Sequence, residues 1–222
     1  MDNCVVLLHG LGRSSSAMKQ MEYFLKDNGY RVYNLDYPSR KYKIDKLADI
    51  VHDKLKNHKL TDIENLHFVT HSLGGIIVRV IEEKYKPQNW GNVVMIAPPN
   101  KGSEVVDYLR KTPFLLWVLG PSALELGTDS AGIVKKLPQQ INFNLGVIAG
   151  TKSINPINSA FFLKGENDGK VTVESAKIKG MNDFIKVNQN HTFAMNSKIV
   201  QSYVLSFLSN GYFTSSQRKK LV

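Results

Sequence analysis

The strongest chemical signal in the chain is the stretch Thr70-His71-Ser72-Leu73-Gly74-Gly75. It lies between an apolar run at 66–70 and a segment whose Leu73, Ile76, Ile77, Val80 and Ile81 fall on one helical face. A serine at a sharp strand-to-helix turn projects its hydroxyl out of the fold, where it can act as a nucleophile. Such a turn strains the serine backbone, so its neighbours must be small. Gly74 meets that need, whereas Thr70 stands where the G-x-S-x-G pattern has its first glycine. The helix amino end aims free N–H groups and a positive dipole end at the hydroxyl. Taken alone, Ser72 fits a helix cap equally well. A second signal is Leu8-His9-Gly10-Leu11-Gly12, which follows an apolar run at 4–8. A glycine-rich turn there lets the Leu11 N–H face the space above Ser72. With the Leu73 N–H it would form an oxyanion hole for a tetrahedral intermediate.

A serine nucleophile needs a base, and the base needs an orienting acid. Of the six histidines, His52 and His58 belong to a polar-faced helix, His67 lies within a strand, and His9 and His71 belong to the two turns. His191 alone follows the last strand, on a loop before the final helix. Active residues of an open parallel sheet gather at the carboxyl ends of its strands, so His191 is the expected base. The acid window is Gly165-Glu166-Asn167-Asp168-Gly169-Lys170-Val171, after the fifth strand. Asp168, in a tight turn, can accept the histidine N–H and fix its tautomer. Glu166 is the alternative, and Asp183 begins a strand at the wrong end of the sheet. The chain order Ser72, Asp168, His191 is the one expected for this kind of site.

The elements that must hold these residues alternate. Strand-like runs are read at 4–8, 30–35, 66–70, 93–97, 145–149 and 184–187. Helical periodicity appears over 16–28 (Ala17, Met21, Phe24, Leu25), at Ile44, Leu47, Ala48, Val51 and Leu55, over 73–81, and at Val200, Val204, Phe207 and Leu208. Strands alternating with helices predict an α/β fold: a mostly parallel sheet of about six strands with helices on both faces. Residues 111–140 break the alternation and are too long for an ordinary connection. They are expected to be a lid-like insertion in a single domain spanning 1–222, with a mobile polar tail at 214–222.

Composition narrows the class. At 222 residues, with 42% hydrophobic and 22% charged residues, the chain can bury a sizeable core and is not a disordered type. The single cysteine, Cys4, forms no internal disulfide and builds no paired-thiolate metal site. It sits in an apolar run and is expected to be buried. The net charge of +10 is scattered apart from Arg40-Lys41 with Lys43 and Arg218-Lys219-Lys220. No nucleic-acid motif accompanies it, so weak attraction to anionic surfaces is the most it implies. The oligomeric state is unknown from sequence. The apolar run at 5–8 stops at His9, too short for a signal peptide or a membrane span, and the expected compartment is cytoplasmic.

His9-Gly10-Leu11-Gly12, Thr70-His71-Ser72-Leu73-Gly74-Gly75, Ala97-Pro98-Pro99-Asn100-Lys101-Gly102-Ser103, Asn167-Asp168-Gly169-Lys170-Val171 and His191 together resemble the α/β-hydrolase superfamily, in particular its small bacterial lipase and esterase group. The resemblance runs over 5–208. It implies hydrolysis of a small-molecule or lipid ester through an acyl-enzyme on Ser72, with no cofactor and no metal. An acyltransferase or thioesterase would use the same triad. Gly10-Leu11-Gly12-Arg13-Ser14-Ser15, with Asp36 ending the next strand, imitates a dinucleotide-binding turn. The third glycine is missing, and that reading leaves Ser72, Asp168 and His191 without a role.

Phe114-Leu-Leu-Trp117-Val-Leu119 is an uninterrupted apolar run within the insertion. An exposed amphipathic helix would show polar breaks. It either roofs an acyl-binding pocket, with Phe114 and Trp117 touching substrate, or completes the core. Trp117→Ala separates the two. A core tryptophan costs about 3–5 kcal/mol of stability whatever the substrate. A roof tryptophan lowers kcat/KM for long-chain esters and spares acetyl esters. A sharp fall in Tm with an unchanged long-to-short activity ratio would dismiss the roof.

Overall fold

The computed structural model describes residues 3–110, 119–130, 132–153 and 163–214. Six strands, β1 (Cys4–Leu8), β2 (Arg31–Leu35), β3 (Leu66–His71), β4 (Trp90–Ile96), β5 (Leu145–Gly150) and β6 (Asp183–Val187), form one sheet in the order β2-β1-β3-β4-β5-β6. Every adjacent pair is parallel. The helices are α1 (Lys19–Asp27), α2 (Ile44–Asn57), α3 (Leu73–Tyr85), α4 (Glu104–Leu109) and α5 (Lys198–Asn210), with a 3₁₀ turn over Ser15–Met18 leading into α1.

β1 shows why its sequence is apolar throughout. Cys4, Val6 and Leu8 face a core shared with α2 and α3, while Val5 and Leu7 face a second core shared with α1 and α5. Alternate side chains of a strand point to opposite faces, and both faces are covered by helices, so no position is left for a polar residue. Each large side chain buried this way contributes roughly 1.5–3 kcal/mol. α2 buries Ile44, Leu47, Ala48, Val51 and Leu55, the stripe its spacing predicts. The first helix differs from its expected form. Met18, Met21 and Leu25 are buried whereas Ala17 and Phe24 are half-buried, because the opening turn winds as 3₁₀ and rotates the face.

The strand order reverses beside β1: the chain goes to β2 at one edge, then returns past β1 to β3 and outward. This opens a crevice at the carboxyl ends of β1 and β3. There β3 passes into α3 with only Ser72 between them, and Ser72 adopts φ 52 and ψ −117. Its N–H donates to the Ile96 carbonyl at 2.9 Å, so the β3–β4 ladder continues up to the turn. Thr70 is fully buried beside β4. Gly74 lies directly on the end of β1, where a Cβ would stand 2.7 Å from the Leu8 carbonyl oxygen and 3.1 Å from that of His9.

The described part of the expected insertion is anchored. Helical turns at Pro121–Leu124 and Ile133–Lys136 bury Ala123, Leu126, Val134 and Leu137. The Ser122 hydroxyl donates to the Ser39 carbonyl, and the Glu125 carboxylate accepts the Ile44 N–H at 2.6 Å. Phe114 and Trp117 lie outside the described residues. Thr214, where the tail was expected to begin, is tied to α5 by its N–H on the Ser206 hydroxyl at 3.1 Å. The rest of that tail lies outside the described residues.

Gly74→Ala tests the packing of α3 on β1. The obstacle is backbone on both sides, so the helix must shift, at a cost of about 1–3 kcal/mol. For a chain of this size thermal unfolding should show a Tm lower by roughly 3–10 °C. An unchanged Tm would mean the two elements are not locked here.

Candidate active site

The crevice brings together residues from three strand ends. Ser72 follows β3, Asp168 follows β5 and His191 follows β6. The Ser72 hydroxyl donates to His191 Nε2 at 3.0 Å, and His191 Nδ1–H donates to Asp168 Oδ2 at 2.8 Å. The carboxylate fixes the tautomer, leaving a lone pair on Nε2 to take the serine proton. All three side chains are buried, with Ser72 8% exposed.

Each is held by backbone. Asp168 Oδ1 accepts the Lys170 and Val171 N–H groups at 3.0 and 2.8 Å, an Asx-type turn that leaves Oδ2 for the histidine. The His191 N–H donates to the Asp168 carbonyl at 3.0 Å, joining the two loops independently of their side chains. Gly150 at the end of β5 makes room, since a Cβ there would meet Asp168 Cβ at 2.7 Å. Glu166, the alternative acid, points outward and pairs with Lys186 at 2.7 Å.

The two backbone groups expected as donors belong to Leu11 and Leu73, in the turns after β1 and β3. Leu73 is the first residue of α3, so its N–H has no carbonyl one turn earlier to bond. Leu11 lies in the turn after β1 and lines the same cavity as Ser72. That turn is braced by Tyr37, which the sequence did not single out, together with His9 and Asp36. The His9 ring stacks on Tyr37 at 4.1 Å, and the Tyr37 hydroxyl donates to the His9 carbonyl. Asp36 accepts the Ser15 N–H at 2.8 Å and lies 3.3 Å from His9 Nε2, so it serves this brace. The geometry brings a serine hydroxyl, a histidine whose Nδ1–H rests on a carboxylate, and the amino end of α3 to one crevice, an arrangement suited to acyl transfer.

His71 was read only as part of the turn. Its Nε2–H donates to the His191 carbonyl at 2.9 Å, and its ring centroid lies 5.0 Å from that of His191. Burial holds its pKa well below the usual histidine value, reinforced by His191, Lys170 and Arg13. Its Nδ1 is buried without a hydrogen-bond partner, facing Gly10. A second residue missed in sequence is Arg79 on α3, buried and pushed down to about 10 by desolvation. It donates to the Asn100 carbonyl at 2.8 Å and the Pro138 carbonyl at 3.0 Å, and Asn100 donates on to Ala176 at 2.8 Å. A lone arginine within the apolar face of α3 was the available signal.

Ser72 and His191 open into a cavity of about 340 Å³. Leu11, Val105, Val106, Leu109, Leu126 and Val171 give it apolar walls. A shallower groove of about 1250 Å³ lies at the amino-terminal ends of β3 and β4, away from this chemistry. Among the described residues no group of three or more histidine, cysteine, aspartate or glutamate side chains could hold a metal, and no helix is long and apolar enough to cross a membrane.

An all-parallel core sheet, a strained serine between its third strand and the following helix, and a histidine and aspartate from later loops define an α/β-hydrolase. The family model described as serine aminopeptidase, S33, matches residues 1–143, and the chain belongs to that family. No curated protein gives a significant match in sequence. Among solved structures, the mature lipase BlEst2 of Bacillus licheniformis is similar over 95% of this chain and 92% of its own, with 21% identity and a TM-score of 0.76. Phospholipase PlaB of Legionella pneumophila is similar over 99% of this chain, which spans 62% of that protein, at 17% identity and a TM-score of 0.75. The metagenomic carboxyl esterase MGS0156 is similar over 95% of this chain and 71% of its own, at 20% identity and a TM-score of 0.67. At these identities the likeness shows the fold.

The buried histidines make stability depend on pH in one direction. His9, His67 and His71 all have pKa values lowered by burial, so the unfolded chain binds more protons as pH falls below 6.5. The stability they confer is complete above that value and is lost as pH falls toward their folded values. Tm should drop steadily between pH 7 and pH 5. His71→Gln, whose amide can still donate to the His191 carbonyl but does not titrate, should flatten that slope. An unchanged slope would show that His71 is not a main contributor.

Proposed function

We propose that this chain is a serine hydrolase of carboxylic esters, with Ser72 as nucleophile, His191 as base and Asp168 as the orienting acid. The observation that carries the reading is the relay from Ser72 Oγ through His191 to Asp168, at 3.0 and 2.8 Å, opening into an apolar-walled cavity. Ser72 Oγ attacks the ester carbonyl carbon while its proton passes to His191 Nε2. The carbonyl π pair moves to oxygen, and the resulting oxyanion is held by the Leu11 and Leu73 N–H groups. Asp168 stabilises the imidazolium. Collapse of the intermediate breaks the ester C–O bond, and the leaving alkoxide takes the proton from His191. Water then repeats the sequence on the acyl-serine, releasing the acid and restoring Ser72.

The family description names an aminopeptidase, yet the walls favour an ester over a peptide amino terminus. An α-ammonium group needs a carboxylate to receive it. The described residues lining this cavity include Arg13, Arg40 and Lys170 and neither aspartate nor glutamate. Lipase, phospholipase and carboxyl esterase are the names of the structural neighbours described above, and an ester or lipid substrate agrees with them. Leu119 and Leu126, from the far side of residues 111–118, reach the same cavity. This supports the reading of 111–140 as a roof over the acyl chain.

A fluorophosphonate probe should label Ser72, and Ser72→Ala should lose the labelling and nearly all turnover of aryl esters. His191→Ala should be about as damaging and the double variant little worse, because triad members act as a unit. Asp168→Asn should cost on the order of 10⁴ in kcat, while Glu166→Gln costs little. Normal turnover by a folded Ser72→Ala protein would overturn the reading. Faster cleavage of aminoacyl anilides than of matched esters would return the site to peptides.

A further inference from the structure

Resting on the ester-hydrolase reading, we infer that the preferred substrates are esters with an anionic group, a phosphate or carboxylate, on the leaving-alcohol side. Arg13 and Lys170 receive that group.

The observations begin with charge. Among the described residues, the cavity around Ser72 is lined by three cationic side chains, Arg13, Arg40 and Lys170, and by no carboxylate. A cation at an enzyme mouth is usually neutralised by a neighbouring acid. The nearby acids are otherwise engaged: Asp168 is committed to His191 and two backbone N–H groups, and Asp36 to Ser15 and His9. Arg13 and Lys170 come from separate parts of the chain, one just past the Leu11 turn and the other two residues beyond Asp168. They still line one cavity. Desolvation first, and then Arg13, lower the Lys170 pKa, against a smaller opposing pull from Asp168. Both side chains are exposed at the mouth, and the described lining offers them no carboxylate, so an anion on the substrate can take the place of water beside them.

Lys170 also springs from a fixed backbone. Its N–H donates to Asp168 Oδ1 at 3.0 Å and its carbonyl accepts the Ser103 hydroxyl at 2.8 Å. Less ordering is therefore left to be done when the ligand arrives.

The anion is placed on the alcohol half of the ester. Val105, Val106, Leu109 and Leu126, contributed by α4 and the segment after it, offer an apolar wall fit for an acyl chain. Arg13 lies two residues past Leu11, and Lys170 two residues past Asp168, whose carbonyl accepts the His191 N–H. His191 must hand its proton to the leaving oxygen, so the alcohol half lies on its side. A glycerophosphate lipid and a small soluble ester of a hydroxy acid share this chemistry.

The test compares kcat/KM of the full chain on matched pairs of monomeric esters. One pair is octanoylglycerol against octanoylglycerol phosphate. The other is the butyrate ester of nitrophenol against that of a carboxylated nitrophenol. A third comparison places the carboxylate on the acyl half, as in a glutaryl nitrophenyl ester. The alcohol-side anion should be favoured at least tenfold at low salt, with the preference shrinking as salt rises. The ratio should fall toward one in Lys170→Met with Arg13→Gln, invert in Lys170→Glu, and recover in Lys170→Arg. Preference in the glycerol pair alone identifies a lipid headgroup as the source, and preference in both pairs a general anion. A ratio near one in the unaltered protein, a ratio that survives the double substitution, or equal preference for the acyl-side anion would each overturn the proposal, leaving ester hydrolysis intact. Absence of any Ser72-dependent turnover would overturn both.

Discussion

The first turn of α3 rests on the last carbonyls of β1, and most of the site follows from that contact. Ser72 can stand at φ 52 only because the chain leaves β3 and enters the helix within one residue. A non-glycine residue in that region costs of order 1–3 kcal/mol. The cost is offset by the ladder bond from the Ser72 N–H to Ile96 and by the buried face of α3. Gly74 then lets α3 close on Leu8 and His9. The same contact sets the turn after β1 beside the amino end of α3, since Gly74 lies against the Leu8 and His9 carbonyls. Because the strain is held between a strand and a helix, substrate binding need not create it.

The base and acid are placed by a different device. Their loops follow β5 and β6, on the opposite side of β3 from β1, and are joined by the His191 N–H on the Asp168 carbonyl. His71 ties this pair back to the elbow by donating to the His191 carbonyl. Arg79 does a related task beneath the site. A buried guanidinium without a carboxylate is costly, which its lowered pKa reflects. Its bonds to the Asn100 and Pro138 carbonyls fix the segment after β4 to the one before β5, so the base of the 111–140 region has a defined position.

The legible parts of the sequence are those set by periodicity and by local turn chemistry. Strands buried on both faces read as apolar runs, and α2 and α3 as stripes, so the six-stranded sheet and its helices were visible. Ser72 and His191 could be nominated because each sits just past a strand, and Asp168 because it lies in the connection between β5 and β6; in a parallel sheet those ends coincide. Asp168 was preferred over Glu166 for its place in the turn, but what separates them, the backbone N–H groups that direct one carboxylate inward, is not written in the sequence. His71, Tyr37 and Arg79 were missed for a related reason. Their partners are carbonyls of residues between 21 and 120 positions away, and a carbonyl carries no signature in sequence. The opening of α1 misled because a 3₁₀ turn and an α-turn share the same residues but rotate different ones inward.

The charge around Ser72 bears on binding more than on the proton relay. Arg13, Arg40 and Lys170 line the cavity together with Ser72 and His191. The carboxylate of the relay is fully engaged, with Asp168 Oδ2 on His191 and Oδ1 on two backbone N–H groups. On the reading proposed above, an imidazolium formed at His191 would be stabilised by that carboxylate. An anion held by the cations would be bound in the ground state and the transition state alike, so it would lower KM rather than raise kcat.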